Sequence, residues 1–184
     1  NPTDYDTYFR RGNEFYRQSE YMRALDDVNN ALKYMPSTEL DLRIQALLLR
    51  ASIYNVTDRP EQALTDLTQA TSLSPDTYAI VYQKANTELE LGDYTEAKAD
   101  YIRLQRLNSR STEALIGLAR IAVKENNLGL ANDYINQAVA IDPSNSEIYV
   151  RQASVHRLMG DDNAAVQDLL LALSTDSRNT HAVQ

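Results

Sequence analysis

The stretch Gly92-Asp93-Tyr94-Thr95-Glu96-Ala97 ends in an alanine that recurs along the chain at a nearly constant interval. The recurring alanines lie 39, 34, 34 and 34 residues apart: Ala24, Ala63, Ala97, Ala131 and Ala165. Two further sets of mostly small residues keep the same interval: Gly12, Ala51, Ala85, Ala119 and Ala153, then Ala31, Ala70, Leu104, Ala138 and Ala172. Such a period is typical of a repeat array, in which function belongs to a partner-binding surface rather than to one active site.

Within each repeat, the small residues predict two helices that approach each other closely. Gly12 and Ala24 are twelve residues apart, so a turn fits between them, whereas Ala24 and Ala31 share one face of the second helix. Turn-forming residues recur between the two helices: Ser19, Asp58, Gly92, Asn126 and Gly160. Pro36, Pro75 and Pro143 follow the second helices, where a proline stops further helix. Ser144 with Glu147 predicts a capping box at the start of the next helix.

With the stretch at Gly92–Ala97 and with Ile141-Asp142-Pro143, the chain resembles the tetratricopeptide repeat (TPR) family. The resemblance divides one domain, residues 1–184, into five repeats: 5–38, 44–77, 78–111, 112–145 and 146–179. It implies an all-α, right-handed superhelical solenoid of ten helices, with a concave groove lined by the first helix of each repeat. Residues 180–184 would begin a truncated sixth repeat. The all-helical prediction has separate support, because five Gly and five Pro leave little room for sheet turns.

Composition narrows the classes of function. The chain has 184 residues, 43% of them apolar, and a net charge of −8, which disfavours nucleic acid as a partner. No apolar run approaches the roughly 20 residues of a membrane span, so we expect no membrane insertion. The absence of Cys excludes disulfides and thiolate metal sites. Because the chain starts at Asn1-Pro2 without Met, we interpret it as a processed or excised piece.

Five extra residues between the first two repeats interrupt the period, within the segment 37–44. The segment contains no Gly or Pro, and Thr38 with Asp41 could cap a helix start. We therefore predict that the first helix of the second repeat is lengthened by more than one turn.

The sequence offers little catalytic chemistry. The two histidines, His156 and His181, are far apart, and no phosphate-binding loop, dinucleotide fingerprint or nucleophile elbow occurs. His156 is expected to be packed or partly buried rather than to bind a ligand. The pair Asp26-Asp27 lies on a helix, where adjacent side chains do not converge. We predict a protein that is not an enzyme and that has no cofactor or metal.

The positions that line the groove in the TPR family give three rows of candidate binding residues. The apolar row is Phe9, Leu48, Tyr82, Ile116 and Val150, and the polar row one turn further on is Asn13, Ser52, Asn86, Arg120 and Ser154. The third row is Tyr16, Asn55, Leu89, Val123 and Arg157, and Lys124 lies beside it. Amides, hydroxyls and apolar anchors in such rows suit a partner's peptide or helix, which is therefore the partner we expect. Packing between repeats is an equally good interpretation of the apolar row.

The groove positions of the last two repeats are rich in cations: Arg120, Lys124, Arg151 and Arg157. They could receive an acidic side chain or a terminal carboxylate, or Glu113 and Glu147 could neutralise them. The co-chaperone subclass of the family carries a basic residue one turn before the groove asparagine. Phe9 and Tyr82 stand there instead, so that carboxylate clamp is not expected.

The last predicted helix, residues 162–174, is apolar on nearly all sides, although a terminal repeat normally carries a polar outer face. We expect its face around Leu170 and Leu173 to be covered by a second copy in a homodimer, a neighbouring molecule or the tail 176–184. Three roles follow from the sequence: a non-catalytic interaction scaffold, a self-assembly module that stacks through this end, and a docking arm of a longer, possibly enzymatic, protein.

Overall fold

The computed structural model describes residues 3–181, and the side chains of residues 3–175. Ten helices occupy these residues: α1 (Tyr5–Arg17), α2 (Tyr21–Tyr34), α3 (Leu40–Val56), α4 (Pro60–Leu73), α5 (Tyr78–Leu91), α6 (Tyr94–Leu107), α7 (Thr112–Lys124), α8 (Leu128–Ile141), α9 (Ser146–Leu158) and α10 (Asp162–His181). No strand occurs between residues 3 and 181. The predicted all-α fold of ten helices is confirmed.

The helices form two compact units, one up to Ala97 and one from Lys98, so that the division falls within α6. In the N-terminal unit α1 packs on α2, α2 on α3, α3 on α4 and α4 on α5. In the C-terminal unit α7 packs on α8, α8 on α9 and α9 on α10. Within each unit these helices pack on their neighbours in sequence, as expected for tandem helical hairpins.

The recurring alanines lie in the core, as predicted. Ala24, Ala63, Ala97 and Ala131 have no exposed surface, and Ala165 keeps 7%. Gly117 has a related role in the C-terminal unit, because a β-carbon there would lie 2.3 Å from the ring of Tyr101. The missing side chain leaves room for this ring, which is completely buried.

All five turns within the repeats end their first helix in the same way. The turn residues have positive φ, and three of them are not glycine: Ser19, Asp58, Gly92, Asn126 and Gly160. After each one, the next backbone N–H donates to the carbonyl five residues earlier, as Asp93 does to Glu88 at 2.9 Å. This is the Schellman pattern of helix termination, which satisfies carbonyls that would otherwise lack a donor. The turn positions predicted from the sequence are confirmed.

Helix α3 has 17 residues, against 13 or 14 in the other first helices, which confirms the predicted lengthening. The predicted cap at Thr38 is wrong, because the N-cap residue is Glu39, whose side chain accepts no capping bond. The segment is instead held by Arg43, whose Nη2 donates to the carbonyl oxygen of Met35 at 2.9 Å. That carbonyl lies just after α2, so the contact joins two repeats.

The capping box predicted at Ser144 and Glu147 is also wrong. Asn145 is the N-cap of α9, and its Oδ1 accepts from the backbone N–H of Glu147 at 3.0 Å. The Ser144 side chain does not cap α9, since its Oγ donates to Oδ1 of Asp142 at 2.7 Å. Both Asn and Ser are good caps, and the asparagine directly precedes the first helical residue.

Helix α10 does not stop at Ser174, as the sequence predicted, but continues to His181. Thr180 and His181 therefore belong to the second helix of the fifth repeat rather than opening a new one. The rest of the proposed sixth repeat, residues 182–184, lies outside the described residues.

Candidate functional site

The candidate groove residues differ between the two units in how much surface they offer. In the N-terminal unit, Phe9 and Leu89 are buried, whereas six others are half-buried: Asn13, Tyr16, Leu48, Ser52, Tyr82 and Asn86. In the C-terminal unit Ile116 is half-buried, and five others are exposed: Arg120, Lys124, Val150, Ser154 and Arg157. The C-terminal unit therefore presents the more accessible set.

Several polar candidates use their donors within their own helix. Ser52 donates to the carbonyl of Leu48 at 2.9 Å, and Ser154 to that of Val150 at 3.0 Å. Asn86 Nδ2 donates to the carbonyl of Tyr82 at 3.0 Å. These bonds to the preceding turn satisfy the side chains locally, as is common for hydroxyl and amide groups on helices.

The C-terminal unit contains a depression of about 180 Å³ between α7 and α9. The residues that line it are Ile116, Ala119, Arg120, Val123, Lys124, Ile135, Arg151, Ser154, Val155 and Leu158. We call it the basic depression, because three cations lie around a lining that is otherwise almost wholly apolar. Six of the groove residues named from the sequence meet there, namely Ile116, Arg120, Val123, Lys124, Arg151 and Ser154, whereas Val150 and Arg157 do not line it.

The cations of the basic depression differ in their partners. Arg151 Nη2 lies 3.0 Å from Oε1 of Glu147, and both side chains are about half exposed, so this pair contributes little stability. Among the described side chains, no carboxylate forms an ion pair with Arg120 or Lys124. The expected neutralisation by Glu147 therefore reaches only Arg151. Glu113 instead accepts a hydrogen bond from Ser111 Oγ at 3.2 Å.

Sequence reasoning missed Leu158, which lines the basic depression and is 54% exposed. The signal was present, because Arg151, Ser154, Val155 and Leu158 follow the three- and four-residue spacing of one helix face.

Two hairpins of the N-terminal unit are closed by ion pairs that the sequence analysis did not identify. Arg11 binds Asp27 through two hydrogen bonds of 2.6 Å, and Arg50 binds Asp66 through two of 2.7 Å. Both carboxylates are buried, and Arg50 also donates to Asn29 Oδ1 at 2.8 Å. Two parallel bonds between a guanidinium and a carboxylate form the strongest geometry of this kind of pair.

These carboxylates also affect the two guanidinium groups. Hydrogen bonds to Asp27 raise the pKa of Arg11 above its ordinary value. Burial lowers the pKa of Arg50, but the hydrogen bonds and charge of Asp66 outweigh it, so the net shift is upward. Both arginines stay charged at any ordinary pH, and their role is to hold the hairpins together.

Asp168 occupies the same repeat position as Asp27 and Asp66, because it follows Asp66 by three periods of 34 residues. Its Oδ2 lies 2.7 Å from Nδ1 of His156, which links α9 to α10. The His156 side chain is 18% exposed, which agrees with the prediction of a partly buried histidine. Within the described part of the chain, no group of three or more His, Cys, Asp or Glu could hold a metal.

The described residues also contain no helix whose length and apolar character would suit a membrane crossing. Fold and site together define a helical-repeat protein whose C-terminal unit carries a basic depression.

Sequence profiles described as tetratricopeptide repeat match residues 82–146, and also residues 44–77 and 146–179. Together they cover most of the chain, which belongs to the tetratricopeptide repeat family.

Curated relatives match parts of the chain. The outer dynein arm-docking complex subunit 4 of Xenopus laevis is 28% identical over 116 residues, which are 63% of this chain and 21% of that protein. The cellulose synthase operon protein C of Pseudomonas fluorescens is 31% identical over 86 residues, which are 47% of this chain and 7% of that protein. The chain thus spans about a fifth or less of the length of these two relatives.

Solved structures of similar fold cover nearly the whole chain. A MamA from Desulfovibrio magneticus has a TM-score of 0.79 and 14% identity, and the match covers 95% of this chain and 96% of that one. YrrB, described as a TPR protein with an unusual peptide-binding site, has a TM-score of 0.69 and 18% identity, with 100% and 92% covered. At such identities the likeness shows the fold alone.

Proposed function

We propose that this chain is a non-catalytic protein-interaction module whose basic depression binds a short acidic and aliphatic segment of a partner protein. Membership of the TPR family supports the general role of a protein-interaction scaffold. The observation that carries the finer proposal is the position of Arg120 and Lys124, which have no ion-pair partner among the described residues and flank an apolar floor.

The apolar lining of the basic depression and the cations around it favour different parts of the same ligand. Ile116, Val123 and Leu158 offer apolar surface, and covering it yields roughly 25 cal/mol for each Å² removed from water. Arg120 can bind a carboxylate through two hydrogen bonds, and Lys124 adds a second positive charge. An aliphatic side chain next to Asp, Glu or a chain terminus therefore matches both features.

The size of the basic depression favours a side chain over a metabolite. Its volume of about 180 Å³ is below the range of small-molecule sites, which is roughly 300–1,000 Å³. One or two side chains of a peptide fill such a space, while the rest of the peptide lies along the surface. The description of YrrB as having a peptide-binding site supports a peptide as the kind of ligand, without locating it on this chain.

The candidate residues of the N-terminal unit are assigned a smaller part in binding. Phe9 and Leu89 are core residues with under a tenth of their surface exposed. Asn86 and Ser52 direct their donors to their own helices. Tyr82 stacks on Tyr78, with ring centroids 6.3 Å apart, and remains the most suitable aromatic contact in that unit.

Fluorescence anisotropy with labelled nine-residue peptides tests the proposal. One set of peptides combines Asp or Glu with Leu, and a matched set replaces each acid by Asn or Gln. We expect the acidic set to bind more tightly and to lose affinity as salt rises, because exposed charges are screened over roughly 10 Å at 0.1 M.

The variant Arg120→Glu/Lys124→Glu should abolish binding of the acidic set without lowering the melting temperature. Arg17→Glu/Lys33→Glu is the matched control, since it changes the net charge equally at exposed positions of the N-terminal unit. Equal binding of acidic and amide peptides, or equal loss in both variants, would remove the basic depression from the account.

A further inference from the structure

The second helix of the fifth repeat exposes a position that is buried in every other repeat. Leu169 is 46% exposed, although its four equivalents are almost completely buried: Val28, Leu67, Tyr101 and Ile135. Three other leucines of α10 are also exposed by 46% to 67%, namely Leu170, Leu171 and Leu173. The difference is one of surroundings, because the residue type at this position is apolar throughout.

Inside the array, the first helix of the following repeat covers this surface. Ile80 of α5 packs in one cluster with Ala70 of α4 and Leu47 of α3. Ile148 of α9 packs in the same way with Ile135 and Ala138 of α8. In both cases an isoleucine of the next helix fills a socket between the two helices of a hairpin, and neither isoleucine is exposed.

The equivalent socket of the fifth repeat is open. It is a depression of about 520 Å³ between α9 and α10, and its lining residues are Ser146, Glu147, Val150, Arg151, Leu169, Ala172 and Leu173. Ala172 is the equivalent of Ala70 and Ala138, and Val150 is the exposed end of the apolar row. We call this socket and the exposed leucines of α10 the end face.

The opposite end of the array does not fit the end face. Two equivalent positions carry a buried residue in each of α3, α5, α7 and α9. At these positions α1 has Thr7 and Glu14, and both are exposed. The corresponding residues in α9 are Ile148 and Val155, both nearly inaccessible. Stacking α1 of one copy on α10 of another would therefore insert a carboxylate where an aliphatic side chain is needed.

The end face is, by contrast, complementary to itself. It offers both protruding leucines, such as Leu170 and Leu173, and a socket of matching apolar character. Its rim carries both signs of charge, because Glu147 and Arg151 lie side by side, 3.0 Å apart. A two-fold axis brings the same surface patch of two subunits together. A patch that has protruding leucines, a depression and both signs of charge therefore suits this symmetry.

We propose that the end face is the interface of a two-fold symmetric homodimer, in which α10 of one copy packs on α10 of the second. The equivalent surface is buried by helix packing in the inner repeats, and in the dimer α10 of the second copy covers it. This inference does not rest on the proposed function: Arg151 borders both surfaces, but Leu170 and Leu173 do not line the basic depression.

Sedimentation velocity over a range of concentrations tests the dimer. We expect the 184-residue chain to show a monomer–dimer equilibrium. Leu170→Glu/Leu173→Glu should weaken the dimer by about tenfold or more, since an unpaired carboxylate resists burial. The control Met22→Glu/Leu40→Glu, which alters two exposed apolar residues elsewhere, should dimerise like the wild type. A monomer at all concentrations, open-ended growth, or equal weakening in both variants would overturn the proposal.

The absence of cysteine from the chain allows a second test that does not depend on destabilising the interface. Single cysteines at Val166, Leu170 or Leu173 are treated with a bis-maleimide linker of about 10 Å, one helix diameter. At least one should give a cross-linked dimer, whereas a cysteine at Met22, which is 62% exposed, should not. Failure at all three positions, or equal cross-linking at Met22, would contradict pairing through α10.

Discussion

The two units place basic residues at different positions of the repeat and use them in different ways. In the N-terminal unit, Arg11 and Arg50 are bound to buried aspartates within their own hairpins. In the hairpin of α7 and α8, Leu118 and Tyr134 occupy these positions, and Leu118 is buried. The exposed cations of the C-terminal unit, Arg120 and Lys124, have no such partner among the described residues. One repeat pattern thus carries structural arginines in one unit and a candidate binding surface in the other.

The comparison explains why an acidic chain can still offer a basic site. A bidentate ion pair directs its guanidinium at one carboxylate and leaves little charge for a ligand. Where Leu118 and Tyr134 replace the pair, packing holds the hairpin, and Arg120, two residues after Leu118 and on another side of α7, faces solvent. The position of a cation in the repeat therefore decides its role more than the net charge of −8 does.

The largest expected effect is the loss of Asp66. Its carboxylate is 3% exposed and holds Arg50, whose side chain is 22% exposed. Asp66→Ala leaves that guanidinium without its buried partner, and we expect a loss of about 3 kcal/mol in the free energy of unfolding. Urea denaturation measures it, with Arg120→Ala as the control, which should change stability by no more than about 0.5 kcal/mol. Similar losses in both variants would erase the distinction between structural and surface cations.

A smaller effect is expected from filling the space beside Tyr101. Gly117→Ala places a methyl group against the buried ring and should destabilise by about 1–2 kcal/mol, after the gain in helix propensity is included. Gly129 is the matched control, because a β-carbon there meets no atom within 4 Å. Gly129→Ala should leave the melting temperature unchanged or raise it. If Gly117→Ala is equally harmless, close packing does not hold this part of the C-terminal unit.

The smallest effect concerns the exposed carboxylate that begins α1. Hydrogen bonds from Thr7 lower the pKa of Asp4, so its contribution to stability is present above the ordinary pKa and is lost as pH falls through the lowered value. The difference in melting temperature between wild type and Asp4→Ala should therefore shrink as the pH falls below about 4. A difference that grows towards acid would contradict the sign of this shift.

Much of the fold could be read from residues that repeat. The burial of Ala24 and Ala131 follows from their spacing, and the positive φ of Asn126 follows from its alignment with Gly92. The helix caps were less predictable, because Ser144 and Asn145 are adjacent and both residue types are good N-caps. The ion pairs escaped notice since Arg50 and Asp66 are 16 residues apart, on different helices. The recurrence of aspartate at 27, 66, 100 and 168 was the available signal.

The candidate site was predictable in part for the same reason. Repeat spacing selects the face that a residue occupies, and so it identified Arg120 and Lys124. It does not reveal how far a side chain is covered, which depends on neighbouring helices. Phe9 and Val150 share one repeat position, yet Phe9 is 8% exposed and Val150 is 44% exposed.

The most direct test of the central claim is an amide NMR titration of the 184-residue chain with an acidic, leucine-containing peptide. We expect the changes in amide chemical shift to concentrate in α7 and α9, around Arg120, Lys124 and Leu158. The chemical shifts of amides near Arg11 and Arg50 should not change, because those arginines already bind aspartates. Changes centred on the N-terminal unit, or equal changes with an amide-substituted peptide, would contradict the claim that the C-terminal unit carries the binding site.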